Sequence, residues 1–160
     1  MGFATHLGPW LLGTVKNTTG TTAGTIRNTG ATIVAQPITI GFADINASLT
    51  GTIGAIPAGA LITKVSYITS TVFSAATTLS ITIGGTAVAA SASTITSVGT
   101  ATPTIQASFV PVQVNVGTTD ALIAYTATEA STLTTGSVVV LIEYIVRDSS
   151  GNSAQPAAQQ

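Results

Sequence analysis

Cysteine is absent from this 160-residue chain, so neither a disulfide framework nor a thiolate metal site is open to it. Charge is nearly absent as well: Lys, Arg, Asp and Glu make up 6% of residues, against roughly a quarter in an ordinary domain. The four basic residues, Lys16, Arg27, Lys64 and Arg147, lie far apart, which speaks against the clustered cations that nucleic acid binding requires. With one histidine, His6, a multi-histidine metal site or a Ser-His-Asp constellation would need help from another chain, and His6 is expected to pack or hydrogen-bond. The carboxylates Asp44, Asp120, Glu129, Glu143 and Asp148 show no paired spacing. No catalytic residue, metal site or cofactor is therefore expected. Long apolar runs are missing too. The longest aliphatic stretch, Val138 to Ile142, is far short of the ~18 residues of a spanning helix, so no membrane partner is expected. The start, with Gly8-Pro9 and no basic region, does not read as a secretory signal.

Against these absences stands a hydrophobic content of 45% and a mean hydropathy of +0.57. A net charge of −1 gives copies of the chain little mutual repulsion. The simplest resolution is that partners cover much of the surface, so a homo-oligomer or larger assembly is expected.

The most structured stretch runs from Ile56 to Thr69. Pro57 is expected at the first corner of a tight turn and Gly59 at a permissive position two residues on. The strand that follows alternates: Leu61, Thr63, Val65, Tyr67 and Thr69 on one face, Ile62, Lys64, Ser66 and Ile68 on the other. Further strands are expected at 31–36, before Pro37, and at Ile38 to Phe42, with a polar connection from Asp44 to Gly54 whose Ile45, Leu49 and Ile53 leave room for a helical turn. Leu79 to Ile83 alternates cleanly and closes on Gly84-Gly85, making with the strand before it a hairpin or its sandwich equivalent. Residues 86–104 read as one long surface loop, or as containing a weak strand at Thr94 to Val98. Ala107 to Val116 reads as a strand with Val110, Val112, Val114 and Val116 on one face and Pro111 at an edge. Ala121 to Thr126 and Ser137 to Arg147 complete the set, and Glu143 is placed to approach Lys64 across the sheet. Eight or nine short strands with almost no helix signal predict an all-β chain, an antiparallel β-sandwich or jelly roll with an extended N-terminal arm.

The arm is assigned to residues 1–30, the sandwich to 31–150 and a polar tail to 151–160. Within the arm, Gly13-Thr14-Val15-Lys16-Asn17-Thr18 is echoed by Gly24-Thr25-Ile26-Arg27-Asn28-Thr29, which suits two short strands. Phe3, Trp10, Leu11 and Leu12 are candidate assembly contacts, with Trp10 plugging into a neighbour or packing on its own domain. Lys16 and Arg27 are candidate contacts to an acidic neighbour or solvated edge charges. Asn17-Thr18-Thr19 and Asn46-Ala47-Ser48 fit the glycosylation pattern, as chance allows in so Asn- and Thr-rich a chain.

The segment Ile-Pro-Ala-Gly-Ala-Leu-Ile-Thr-Lys-Val at 56–65, the Thr/Ala/Gly-rich strands and the closing Val-Leu-Ile-Glu-Tyr strand resemble small β-rich virion proteins of tailed bacteriophages, nearest to capsid decoration (cement) proteins. The resemblance spans about residues 50–147. It implies a location in the virion, binding to the outside of a head shell, contact with the major capsid protein or other virion proteins, and homo-oligomers such as trimers. It carries no catalytic residue. The expected function is therefore a non-enzymatic capsid-stabilising role. The alternatives are a tail, collar or fibre component and a carbohydrate-binding host-attachment module, the last weakened by one Trp and three Tyr.

Overall fold

Alternating β-branched and small residues build strands through most of residues 33–146, the part of the chain that the computed structural model describes. The expected arm and tail, with Phe3, His6, Trp10, Leu11, Leu12, Lys16 and Arg27, lie outside the described residues. The strands are β1 (Ile33–Gly41), β2 (Thr50–Ile56), β3 (Leu61–Thr71), β4 (Thr77–Ile83), β5 (Thr86–Ala87), β6 (Ser93–Thr94), β7 (Gly99–Ala101), β8 (Ala121–Glu129) and β9 (Ser137–Ile145). They form two antiparallel sheets, ordered β1-β9-β3-β7 and β2-β8-β4-β5, with β6 also on β4.

The pairing is nested. First strand pairs with last, β2 with β8, β3 with β7 and β4 with β5. One long hairpin has thus been rolled into two sheets, which is jelly-roll connectivity. At its tip the two-residue link Gly84-Gly85 has φ of 58° and 78°. Positive φ at both positions is the type I′ turn, whose twist matches that of the flanking strands. Between the sheets lies one core, in which Ile56, Leu79, Ile83, Val88, Phe109, Ile123, Val138, Val140 and Ile142 are all fully buried.

Several elements differ from the sequence-based expectation. Residues 107–116 are not a strand: Ala107–Phe109 is a 3-10 turn and Val110–Val114 a short α-helix. Pro111 sits in the first helical turn, where its missing N–H has no intrahelical partner to lose. Val110 and Val114, four apart, are exposed, while Val112 and Val116 pack on the core. The Asp44 to Gly54 connection contains both a helix, Phe42–Ala47, and strand β2, whose Thr-Gly-Thr start hid it. Pro37 does not break β1, because β1 is an edge strand with one neighbour and tolerates a missing donor. Of the two arrangements expected for β3 and β4, a hairpin or its sandwich equivalent, the structure has the second: the chain crosses from one sheet to the other.

The face assignment along β3 also shifts. The β3–β9 register skips between Ile62 and Lys64, a bulge that places Thr63 and Lys64 against the single residue Glu143. Ile62 therefore turns inward with Val65, Tyr67 and Thr69, and Thr63 and Lys64 both stay outside. The Thr63 hydroxyl donates to the Glu143 carbonyl at 3.0 Å, pinning the bulge.

Tyr67, fully buried in β3, has its phenol pushed up from 10.0 to about 12 by burial. In the unfolded chain the phenol ionises first, so its contribution to stability is complete below pH 10 and is lost as pH rises towards 12. The loss is roughly 3 kcal/mol over that window. Denaturant midpoints measured from pH 9 to 12 should fall for the parent and fall less for Tyr67→Phe; parallel curves would contradict this.

Candidate functional site

The turn around which the sequence is organised proves to be a structural anchor. Gly59 has φ of 71°, and Ala60 N donates to the Pro57 carbonyl at 3.2 Å. The corners are thus Ala58 and Gly59. Pro57 stands one place earlier than expected, leading into the turn. The Ala58 N–H donates to Asp120 Oδ1 at 3.0 Å and Gly59 N–H to the Gly117 carbonyl at 2.7 Å, which ties the turn to the segment before β8. Gly59→Val should cost ~1–2 kcal/mol, since a β-branched side chain is strained at positive φ. A melting temperature equal to the parent's would show that the turn relaxes freely.

The carboxylates are dispersed. Asp44 caps its helix by accepting from Gly41 N–H at 2.8 Å, Asp120 holds the turn, Glu129 ends β8 and Glu143 lies on β9. Among the described residues no three of His, Cys, Asp and Glu gather as a metal site, and no helix is long and apolar enough to cross a membrane. The Asn46 side chain is bonded in both directions to Leu133, donating to its carbonyl at 2.7 Å and accepting from its N–H at 3.0 Å. A glycan on Asn46 would have to break this pair. Two depressions, of about 330 Å³ beside Gly84, Gly85 and Asp120 and about 400 Å³ between residues 89–93 and 102–106, are lined mainly by small side chains.

The outer faces of the two sheets carry the chemical contrast. Across the β2-β8-β4 sheet the outward residues are largely hydroxylic: Thr50, Thr52, Thr126, Thr128, Thr78, Ser80 and Thr82, interrupted by Leu122 and Ala124. Hydroxyls suit water. Across the β1-β9-β3 sheet the outward residues combine the hydroxylic Thr39, Thr63, Ser66 and Ser137 with Ile33, Ala35 and Pro37 on β1, Val139, Leu141 and Ile145 on β9, and Leu61 and Ile68 on β3. These large side chains stay partly exposed, and Ile33 is 55% exposed. One charged row interrupts them, where Lys64 is the register partner of Glu143 as the sequence suggested. Lys64 is the one Lys or Arg among the described residues.

The strand edges, by contrast, are guarded. β1 carries Pro37, β2 has a register shift between Thr52 and Gly54, and β7 and β5 are three and two residues long. Such devices oppose edge-to-edge pairing. Among the described residues, the edges are thus blocked and one sheet face is largely apolar. The sequence held a signal for this face: Val138 to Ile142 is apolar at both parities, as in strands buried on both sides. No protein-family model, curated protein or solved structure matches the chain.

Proposed function

We propose that this protein is a structural assembly subunit that works by burying the outer face of its β1-β9-β3 sheet, in the role of a virion decoration protein that reinforces a shell. The observation that carries this reading is the pairing of an apolar sheet face with guarded edges. A face of large aliphatic side chains gains ~25 cal/mol per Å² on burial, and symmetric repetition multiplies that gain over a particle. The jelly roll supports it by analogy alone, since viral capsid domains and lectins both use that fold. The arm of residues 1–30, with Phe3, Trp10, Leu11 and Leu12, is the segment assigned to grip the shell, with the major capsid protein as its partner.

Quantifying the protein in purified virions tests the role. A shell protein is expected at hundreds of copies per particle, a tail component at roughly a dozen, following the symmetry of each structure. Absence from the particle would refute the reading. Leu141→Lys should leave the melting temperature within about 2 °C of the parent, because the side chain faces outward, and abolish incorporation into particles. Deleting residues 1–12 should likewise weaken incorporation without unfolding the sandwich.

A further inference from the structure

The geometry points to a second copy of this chain as the occupant of the apolar face, docked about a two-fold axis that runs along the seam between β9 and β3. This inference rests on the assembly reading above and names the partner. A two-fold axis lying in the interface, parallel to the strands, sets β9 of one copy over β3 of the other at the same level. Each row of the face is then read against its own reverse.

The rows fit under that exchange. Glu143 and Lys64 are register partners, so each carboxylate meets the ammonium of the other copy, and the reciprocal contact forms at once. Leu141 is the register partner of Ser66, so the largest side chain of the row lies over the smallest on each side of the axis. Ser66 is only 1% exposed, so the facing leucine rests on the side chains that already cover it. Val139 partners Ile68, and the exchange stacks aliphatic on aliphatic. An unrelated partner would have to supply the reversed charge order; a second copy has it automatically. Aligned sheet packing, with strand directions within about 30° and sheets about 10 Å apart, preserves this correspondence near the middle of the seam.

Size sets the strength. Nine-residue strands at ~3.4 Å per residue, three of them ~4.8 Å apart, project to roughly 450 Å² per copy. That is below the ~800 Å² per partner of a standard stable interface, so the dimer is reversible and concentration-dependent.

Sedimentation velocity on the full chain tests the inference, using the parent, Lys64→Glu, Glu143→Lys and an equimolar mixture of the two variants, in low salt. The parent should show a reversible monomer–dimer equilibrium. Each variant alone places like charges opposite each other twice and should dimerise at least tenfold more weakly. In the mixture an all-negative row faces an all-positive one, so a mixed dimer should form at least as tightly as the parent's. Rescue by mixing also proves that both variants fold. Four monomeric samples would mean that residues 1–32 or a different protein cover the face, and would overturn the inference. So would a parent trimer, or variants that associate like the parent. If the mixture fails while Leu141→Lys is still excluded from particles, the two-fold falls and the assembly reading stands. If Leu141→Lys is incorporated normally, both fall.

Discussion

Gly136→Ala is expected to destabilise the domain by about 4 kcal/mol, the sum of backbone strain and overpacking. Gly136 has φ of 138°, a backbone conformation that side chains rarely adopt. A Cβ there would stand 2.1 Å from Cδ1 and 2.6 Å from Cε1 of Phe73, inside any tolerable contact. Phe73 cannot swing away cheaply, because it is buried and its loop is bonded to that of Gly136. Ser74 N donates to the Thr135 carbonyl at 3.2 Å, and Thr134 N donates to Ser74 Oγ at 2.8 Å. The Gly136 carbonyl also accepts from Phe42 N–H at 3.0 Å, so a shift there disturbs the start of the helix Phe42–Ala47. At about 3 °C per kcal/mol for a chain of this size, the melting temperature should fall by roughly 12 °C. The double variant Phe73→Ala, Gly136→Ala should lose less than the sum of the single variants, because removing the ring removes the clash. Full additivity would show that strain alone is responsible.

Phe109→Ala should cost about 4 kcal/mol, as for a fully buried aromatic truncated in a core that cannot collapse around the gap. Phe109 is 0% exposed and ends the 3-10 turn ahead of the helix Val110–Val114. That segment is tied in by hydrogen bonds from Gln106 N to the Val88 carbonyl at 3.0 Å and from Val116 N to the Ala60 carbonyl at 3.1 Å. It therefore spans from the β5 side to the start of β3. Val110→Ala and Val114→Ala should change stability by less than about 0.5 kcal/mol, since both side chains face solvent. Chemical denaturation of these three variants and of Val112→Ala, whose side chain packs on the core, reads this directly. A strand over these residues would make the valines equivalent, so a cost at Val110 equal to that at Val112 would contradict the helix.

These two sites mark where sequence reasoning stopped. In Val110-Pro111-Val112-Gln113-Val114 the alternation has period two, yet the segment is helical. Five residues are too few for periodicity to separate helix from strand, and Pro111 fits either a strand edge or a first helical turn. The burial of Phe109 in the core, which no local pattern encodes, accompanies the helix. Strand β2 was illegible for a different reason, since Thr50, Gly51 and Thr52 have little apolar signal. Gly51 is needed because a Cβ would come within 2.8 Å of the Tyr125 ring, a contact 74 residues away in the chain.

What the sequence determined by itself was local. Period-two patterns of β-branched residues specified β3, β4, β8 and β9, and Gly84-Gly85 marked the end of β4, because side-chain direction and permitted φ depend on neighbours a few residues apart. Which strand meets which was decided only by tertiary structure. The nested pairing of β1 with β9 and β2 with β8 joins residues about a hundred and about seventy positions apart, which no local propensity encodes. The bulge at Thr63 was likewise invisible, because a register skip exists only between two strands. The apolar face and its charged row follow from the same pairing. The approach of Glu143 to Lys64 was expected from the sequence, but only the pairing of β3 with β9 brings the scattered aliphatic residues into one surface.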